Sequence, residues 1–339
     1  MFDQQNGVTQ NLKPRAPRNR TLTCGSNERS MLESRLLRLD SPRSADFLEN
    51  RTLNQDFFSA ASFLPQRFVN LLVLDPPYNL SKDYNGRRFE EKDGKSYQVW
   101  FRRVLDLLRP TLAPDASIYV CSDWKTSILI APILEEVFHV RNRITWEREK
   151  GRGAKLNWKN NTEDIWFCTL SDQYVFNVEA VKLKRKVIAP YRNANGSPKD
   201  WQEESDGNFR LTCPSNIWSD ITIPFWSMPE NTDHPTQKPE KLIAKLVLAS
   251  SRANDFVLDP FVGSGTTSVV CKKLGRKFLG IEQDSEFCCW AEKRIQLADS
   301  DASIQGYADG VFWERNSLNE QKPQKKTAAN GQTMSLFYE

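Results

Sequence analysis

No apolar run in this 339-residue chain approaches the 18 or so residues that a membrane-spanning helix needs, and no signal-peptide pattern opens it. Membrane and secretory classes are therefore not expected, and a cytoplasmic protein is. Histidine is scarce, with two in the whole chain, and the seven cysteines show no C-x-x-C spacing, so no metal centre is expected. The adjacent Cys288 and Cys289 fall in an apolar helical stretch, as free, mostly buried thiols of a reducing compartment would. A large excess of one charge is missing too. The net charge is only +4, which excludes a general polyanion binder unless basic residues gather on one face. What is present, 39% apolar and 11% aromatic residues, suffices for one large α/β core and a smaller module.

Three constellations stand out. The apolar run Val69–Leu74 reads as a buried strand that ends in Asp75-Pro76-Pro77-Tyr78. The prolines fix φ and remove two N–H donors, which leaves the Asp75 and Pro76 carbonyls free to accept from a ligand. Tyr78 adds a flat face for a planar base. An ordinary proline turn would account for this segment taken alone. The second constellation is a strand, Phe256–Asp259, followed by Pro260-Phe261-Val262-Gly263-Ser264-Gly265-Thr266-Thr267 and an apolar helix. A further strand, Lys277–Ile281, ends in Glu282. Glycines admit a ligand to the backbone, and an acid ending the next strand can take both ribose hydroxyls. A phosphate-cradling loop would need a lysine after Gly265, and a dinucleotide fingerprint a third glycine where Ser268 stands. A nucleoside without pyrophosphate fits better. The third is His234-Pro235-Thr236-Gln237-Lys238-Pro239, ahead of a helical stretch 240–251. Free N–H groups and a lysine there can hold a carboxylate.

In this order the three motifs resemble the S-adenosylmethionine-dependent amino-methyltransferases of DNA, specifically the permuted β class, over residues 50–297. Leu53-Asn54-Gln55-Asp56-Phe57-Phe58, Thr145-Trp146 and Asn216-Ile217-Trp218 are lesser matches. The resemblance implies methyl transfer from S-adenosylmethionine to adenine N6 in a short duplex sequence, with the base flipped out. Cytosine N4 is the alternative acceptor, and a DNA-binding module that has lost catalysis is disfavoured by the intact Asp75, Tyr78, Asp259 and Glu282. By resemblance, Asp75 and the Pro76 carbonyl accept the target amine's N–H groups, and Tyr78 stacks on the base. Asp259 holds the methionine amino group, Phe261 packs near the adenosine, and Gly263, Ser264 and Gly265 admit the cofactor. His234 and Thr236 belong to the cofactor side. Thr266 and Lys238 face the carboxylate, Glu282 the ribose and Asp56 the adenine edge. Carbon-5 methylation of cytosine fits poorly, because no cysteine follows a proline here.

Strand–helix alternation on both sides of an irregular insert predicts a doubly wound, mainly parallel sheet, with ligands at the carboxyl ends of strands. The resemblance sets it at seven strands, the last antiparallel. The expected units are a basic flexible arm (1–45) with a short helix at 29–39, a catalytic half (46–147), a target-recognition region (148–232), a cofactor-binding half (233–304) and a disordered tail (305–339). Within the insert, Lys182, Lys184, Arg185 and Lys186 are candidates for phosphate contact. Arg192, Asn193, Asn195 and Arg210 are of types that read base edges. A solvated charged loop would account for the same residues. Double-stranded DNA is the expected partner, a cognate restriction endonuclease a further candidate, and the protein a monomer or homodimer.

Overall fold

A computed structural model describes residues 15–148, 155–188, 191–204, 207–315 and 317. Its centre is an eight-stranded sheet in the spatial order Arg51–Asn54, Lys277–Glu282, Phe256–Asp259, Val69–Leu74, Leu112–Ser122, Thr162–Thr169, His139–Glu147 and Ile217–Trp218. All neighbours pair in parallel except Thr162–Thr169, which runs antiparallel to both of its partners. The mainly parallel, doubly wound sheet matches expectation. The strand count rises by one through the two-residue Ile217–Trp218 edge, and the antiparallel strand is neither last in the chain nor at the sheet edge.

The central strands are buried on both faces, so their residues form continuous apolar runs: Leu71–Leu74 and Val257–Leu258 are fully excluded from solvent. Helices Gly94–Leu108 and Trp124–Val137 cover one face, burying Phe101, Val104, Leu105, Ile130 and Leu134 against Leu72, Leu74 and Ile118. Glu240–Ser250 and Thr266–Lys273 cover the other through Leu242, Leu246, Val269 and Val270. Asp93 and Asp123 accept N–H bonds at the entrances of the first pair of helices, and Asp284 does so for Ser285–Leu297.

Three expected boundaries move. Thr162–Thr169, assigned to the recognition insert, is a core strand of the main sheet, because Ile165 and Cys168 bury against neighbours on both sides. The tail assigned as disordered from 305 contains strands Tyr307–Ala308 and Val311–Trp313. These join Leu183–Lys186, Gly207–Thr212 and Gln202–Glu204 in a second, five-stranded sheet. Their Phe312 and Trp313 are buried, which gives the segment an apolar reason to fold. The described part of the arm is docked. Leu22 pairs with Thr232 and Leu37 with Leu53, while a helix, Ser26–Glu33, ion-pairs Glu28 to Lys293 at 2.8 Å. The short helix expected at 29–39 is present but begins three residues earlier and ends at Glu33. Residues 1–14 and 318–339 lie outside the described residues.

Candidate active site

The carboxyl ends of the parallel strands deliver Asp75, Asp259 and Glu282 to one edge of the sheet, as the sequence predicts. A cavity of about 360 Å³ opens there. Asp75, Pro76, Pro77, Tyr78, His234, Thr236 and Lys238 line it together with Asp56, Pro260, Phe261, Gly263 and Glu282. All three sequence motifs therefore meet in a single cleft.

Lys238 Nζ donates to both Asp75 carboxylate oxygens, at 2.8 and 2.7 Å, and to the Tyr78 hydroxyl at 3.0 Å. The Tyr78 hydroxyl has Asp75 Oδ1 and Glu163 Oε2 as acceptors, each at 3.1 Å. Glu163 also lies 3.3 Å from Lys238 Nζ and ion-pairs with Arg148. Burial by itself would lower the Lys238 pKa; the Asp75 and Glu163 carboxylates reverse this and raise it. The Tyr78 hydroxyl is pushed well up by burial and the same carboxylates. Lys238, expected on the cofactor carboxylate, is thus held at Asp75.

Both Asp259 and Glu282 are pushed up to about 7, chiefly by burial. Asp259 accepts from the Phe261 N–H and the Thr267 hydroxyl, and Glu282 from the Gly263 and Asp284 N–H groups. Gly263 has a φ of +53°, and a Cβ there would sit 2.9 Å from His234 Nε2. Beneath the cavity, Arg294 donates to the Ser264 carbonyl and the Thr266 hydroxyl oxygen, while Thr266 donates to the Lys238 carbonyl. Ser264, Gly265 and Thr266 accordingly brace the wall instead of lining it. His234 is pushed down to about 3 by burial and stays neutral, its Nδ1 accepting from the Thr236 N–H at 3.3 Å. Asp56 caps the short helix Phe57–Ala60 at the cavity rim.

Several residues at the site escaped sequence reasoning. Glu163 lies in a segment read as insert, and only the short apolar run Ile165-Trp166-Phe167-Cys168 signalled a strand. A hairpin, Lys82–Tyr84 with Arg87–Phe89, turns on Asn85 and Gly86, both at positive φ, and covers the cavity. Asn85 Nδ2 reaches Asp284 at 3.2 Å and Glu286 at 2.9 Å, and Arg87 the Gln283 carbonyl at 3.3 Å. Asn-Gly between two short runs was the signal available. Phe57, Phe58 and Trp100 complete an aromatic wall around Phe261.

The basic run at 183–186 is not the solvated loop considered above, whereas Arg192, Asn193 and Asn195 do stand on an exposed turn. Leu183–Lys186 is a strand in which Lys184 pairs with Glu204 at 2.7 Å and lies over Phe209 and Trp313. Lys182 pairs with Glu179, Arg185 with Glu314 and Arg210 with Asp200, and the Lys186 N–H donates to Glu314. Arg192 donates to the Gly196 carbonyl and stacks over Trp201. Asn193 and Asn195 bond Ser197 within the same turn. Glu204, on a strand of the second sheet, and Glu314, just past another, tie Lys184 and Arg185 to that sheet, while Lys182 and Arg210 pair with the acids Glu179 and Asp200 outside its strands.

A cleft at the carboxyl edge of a mainly parallel, doubly wound sheet is where such folds bind a nucleoside or nucleotide cofactor. The chain belongs to the DNA methylase family of N6 and N4 amino-methyltransferases, whose model matches residues 69–293, and S-adenosylmethionine is its methyl donor. Its relatives include the type II methyltransferase M.HpaI of Haemophilus parainfluenzae, 31% identical over 73% of this chain and 74% of that protein. The DNA adenine methyltransferase YhdJ of Escherichia coli is 29% identical over 80% and 92%. Among solved structures, the cytosine-N4-specific PvuII DNA methyltransferase shares the fold at a TM-score of 0.54 and 16% identity, over 72% of this chain and 85% of that one. The protein is therefore a DNA methyltransferase with the fold of restriction–modification enzymes.

The residues present fit the cofactor. The Glu282 carboxylate on the lining suits hydroxyl donors, Asp259 is buried just behind the lining Pro260 and Phe261, and the aromatic wall suits a purine.

Proposed function

We propose that the enzyme methylates the exocyclic N6 of adenine within a short duplex sequence, with the base flipped into the cleft beside Asp75. The observation that carries this reading is the Asp75 carboxylate, fixed by Lys238 at the end of a central strand and at the wall of the cofactor-sized cavity. A ring-conjugated amine is a poor nucleophile because its lone pair is delocalised. Accepting its two N–H groups at the Asp75 carboxylate and the Pro76 carbonyl favours a pyramidal nitrogen with a localised pair. Lys238 compensates the Asp75 charge and fixes both of its oxygens, and Glu163 holds Lys238 in turn.

Bound S-adenosylmethionine supplies an electrophilic methyl group on a sulfonium. Asp259 would take its ammonium group, Glu282 the ribose hydroxyls, Asp56 the adenine edge, and Phe261 a face of the adenosine. Holding amine and methyl group in line makes catalysis largely a matter of positioning. The amine's surplus proton leaves to solvent after transfer. Adenine is favoured over cytosine by Asp at position 75 and by the name of the E. coli relative. The type II relative supports a setting with a cognate endonuclease.

The test is modification-aware sequencing and nucleoside mass spectrometry of DNA from a methylase-free host expressing the protein. N6-methyladenine in one short sequence context is expected; N4-methylcytosine without N6-methyladenine would move the assignment to cytosine.

A further inference from the structure

Base flipping leaves a hole in the duplex stack, and something must occupy it while the target base is in the cleft. Residues 155–161 lead into the antiparallel Thr162–Thr169 at the cleft that carries Asp75. Arg148, Asn160 and Thr162 line the cavity, and the Arg148 N–H donates to the Asn161 carbonyl at 2.7 Å. Two residues before Asn160, Trp158 is 96% exposed. A Trp side chain carries on the order of 200 Å² of largely apolar surface, which folding normally buries. Here it projects from a polar segment, Lys155–Thr162, with Lys155 and Lys159 on either side and no acid among these eight residues. That charge suits the phosphates flanking a distorted step, and the flat ring suits stacking between bases.

Resting on the reading of the enzyme as a base-flipping methyltransferase, we propose that Trp158 is the wedge that enters the duplex and fills the space left by the target base. It acts on the DNA stack and touches neither the cofactor nor the reacting amine. Another rim candidate, Trp124, is 48% exposed but sits in the first turn of the Trp124–Val137 helix, beside the cavity-lining Asp123. A ring anchored on a packed helix has less freedom to enter a stack than one on a loop.

The experiment measures single-turnover methyl transfer by the full chain on two duplexes that carry the methylated sequence found by sequencing. One is fully paired; the other lacks the base opposite the target, so that little work of extrusion remains. Trp158→Ala should be slower than wild type by about tenfold or more on the paired duplex, and within about twofold of it on the abasic one. Trp158→Phe should keep most of the paired-duplex rate, and both variants should bind S-adenosylhomocysteine as wild type does. An equal loss on both duplexes, no loss on either, or the abasic-rescued loss appearing in Trp124→Ala instead, would overturn the proposal. Failure of the wild type itself on the paired duplex would count against the functional reading, not against the wedge.

Discussion

Lys238 and Asp75 stand 163 residues apart in the chain, yet Lys238 Nζ contacts both Asp75 carboxylate oxygens at under 3 Å. The lysine comes from the entrance of the Glu240–Ser250 helix and the acid from the end of a central strand. The pair therefore joins the cofactor-side motif to the catalytic one.

Asp75→Asn keeps the size of the side chain but replaces one acceptor oxygen by a donor. Methyl transfer should fall by at least ~10²-fold, as on removing a preorganised electrostatic partner. S-adenosylhomocysteine affinity, measured by calorimetry, should stay near wild type, because Asp259 and Glu282 are untouched. Near-normal turnover would refute the assignment of Asp75.

Lys238→Met leaves Asp75 without its cation and the buried Glu163 with Arg148 alone. Breaking such a buried pair typically costs about 3–5 kcal/mol. Chemical denaturation should show a loss of that order at neutral pH. Adding Glu163→Gln should restore part of it, whereas two additive losses would mean that the three side chains are not one network.

Cofactor affinity should depend on pH. Burial raises Asp259 and Glu282 to about 7, so both are partly protonated near neutrality in the empty site. An ammonium or hydroxyl donor binds the ionised form better, so S-adenosylmethionine should bind more tightly at pH 8 than at pH 6. The sign for stability is opposite. Acids with raised folded pKa values contribute stability that is full below their unfolded values, near 4, and lost as pH rises through about 7. The cofactor-free protein should therefore lose Tm across that window, and saturating cofactor should lessen the loss. Parallel pH profiles with and without cofactor would contradict this.

Gly265→Ala should be severely destabilising. Gly265 has a φ of +83°, and a Cβ there would lie 2.5 Å from Ala291 Cβ and 2.7 Å from Ala291 Cα. Left-handed backbone and overpacking together amount to about 2–4 kcal/mol. Gly275→Ala, with a φ of +72° and open space around it, should lose only the backbone part. Equal losses in the two variants would show that the Ala291 contact does not matter.

Lys184→Ala should cost stability, about 1–2 kcal/mol, through Glu204 and the Phe209 and Trp313 rings. The salt dependence of DNA binding should be nearly unchanged. A salt slope reduced by about one phosphate contact would instead make Lys184 part of the DNA surface.

Local chemistry was enough to find Asp75-Pro76-Pro77-Tyr78, the glycine turn at 263–265 and Glu282. Strand-ending acids, prolines that remove donors and glycines at positive φ each act within a few residues. The alternation of strands and helices likewise announced the mainly parallel sheet, because period and burial are written along the chain. Tertiary structure decided the rest. Thr162–Thr169 became a core strand, and brought Glu163 to Lys238, only because its apolar residues found neighbours in the folded sheet. Residues 307–313 folded because Phe312 and Trp313 met the Leu183–Lys186 strand. The stretch 184–185 looked free in sequence, whereas its counter-charges, Glu204 and Glu314, come from far along the chain. Sequence determines which groups a chain can offer. Burial and long-range pairing decide which of them are used, since both depend on contacts between residues that the sequence does not make neighbours.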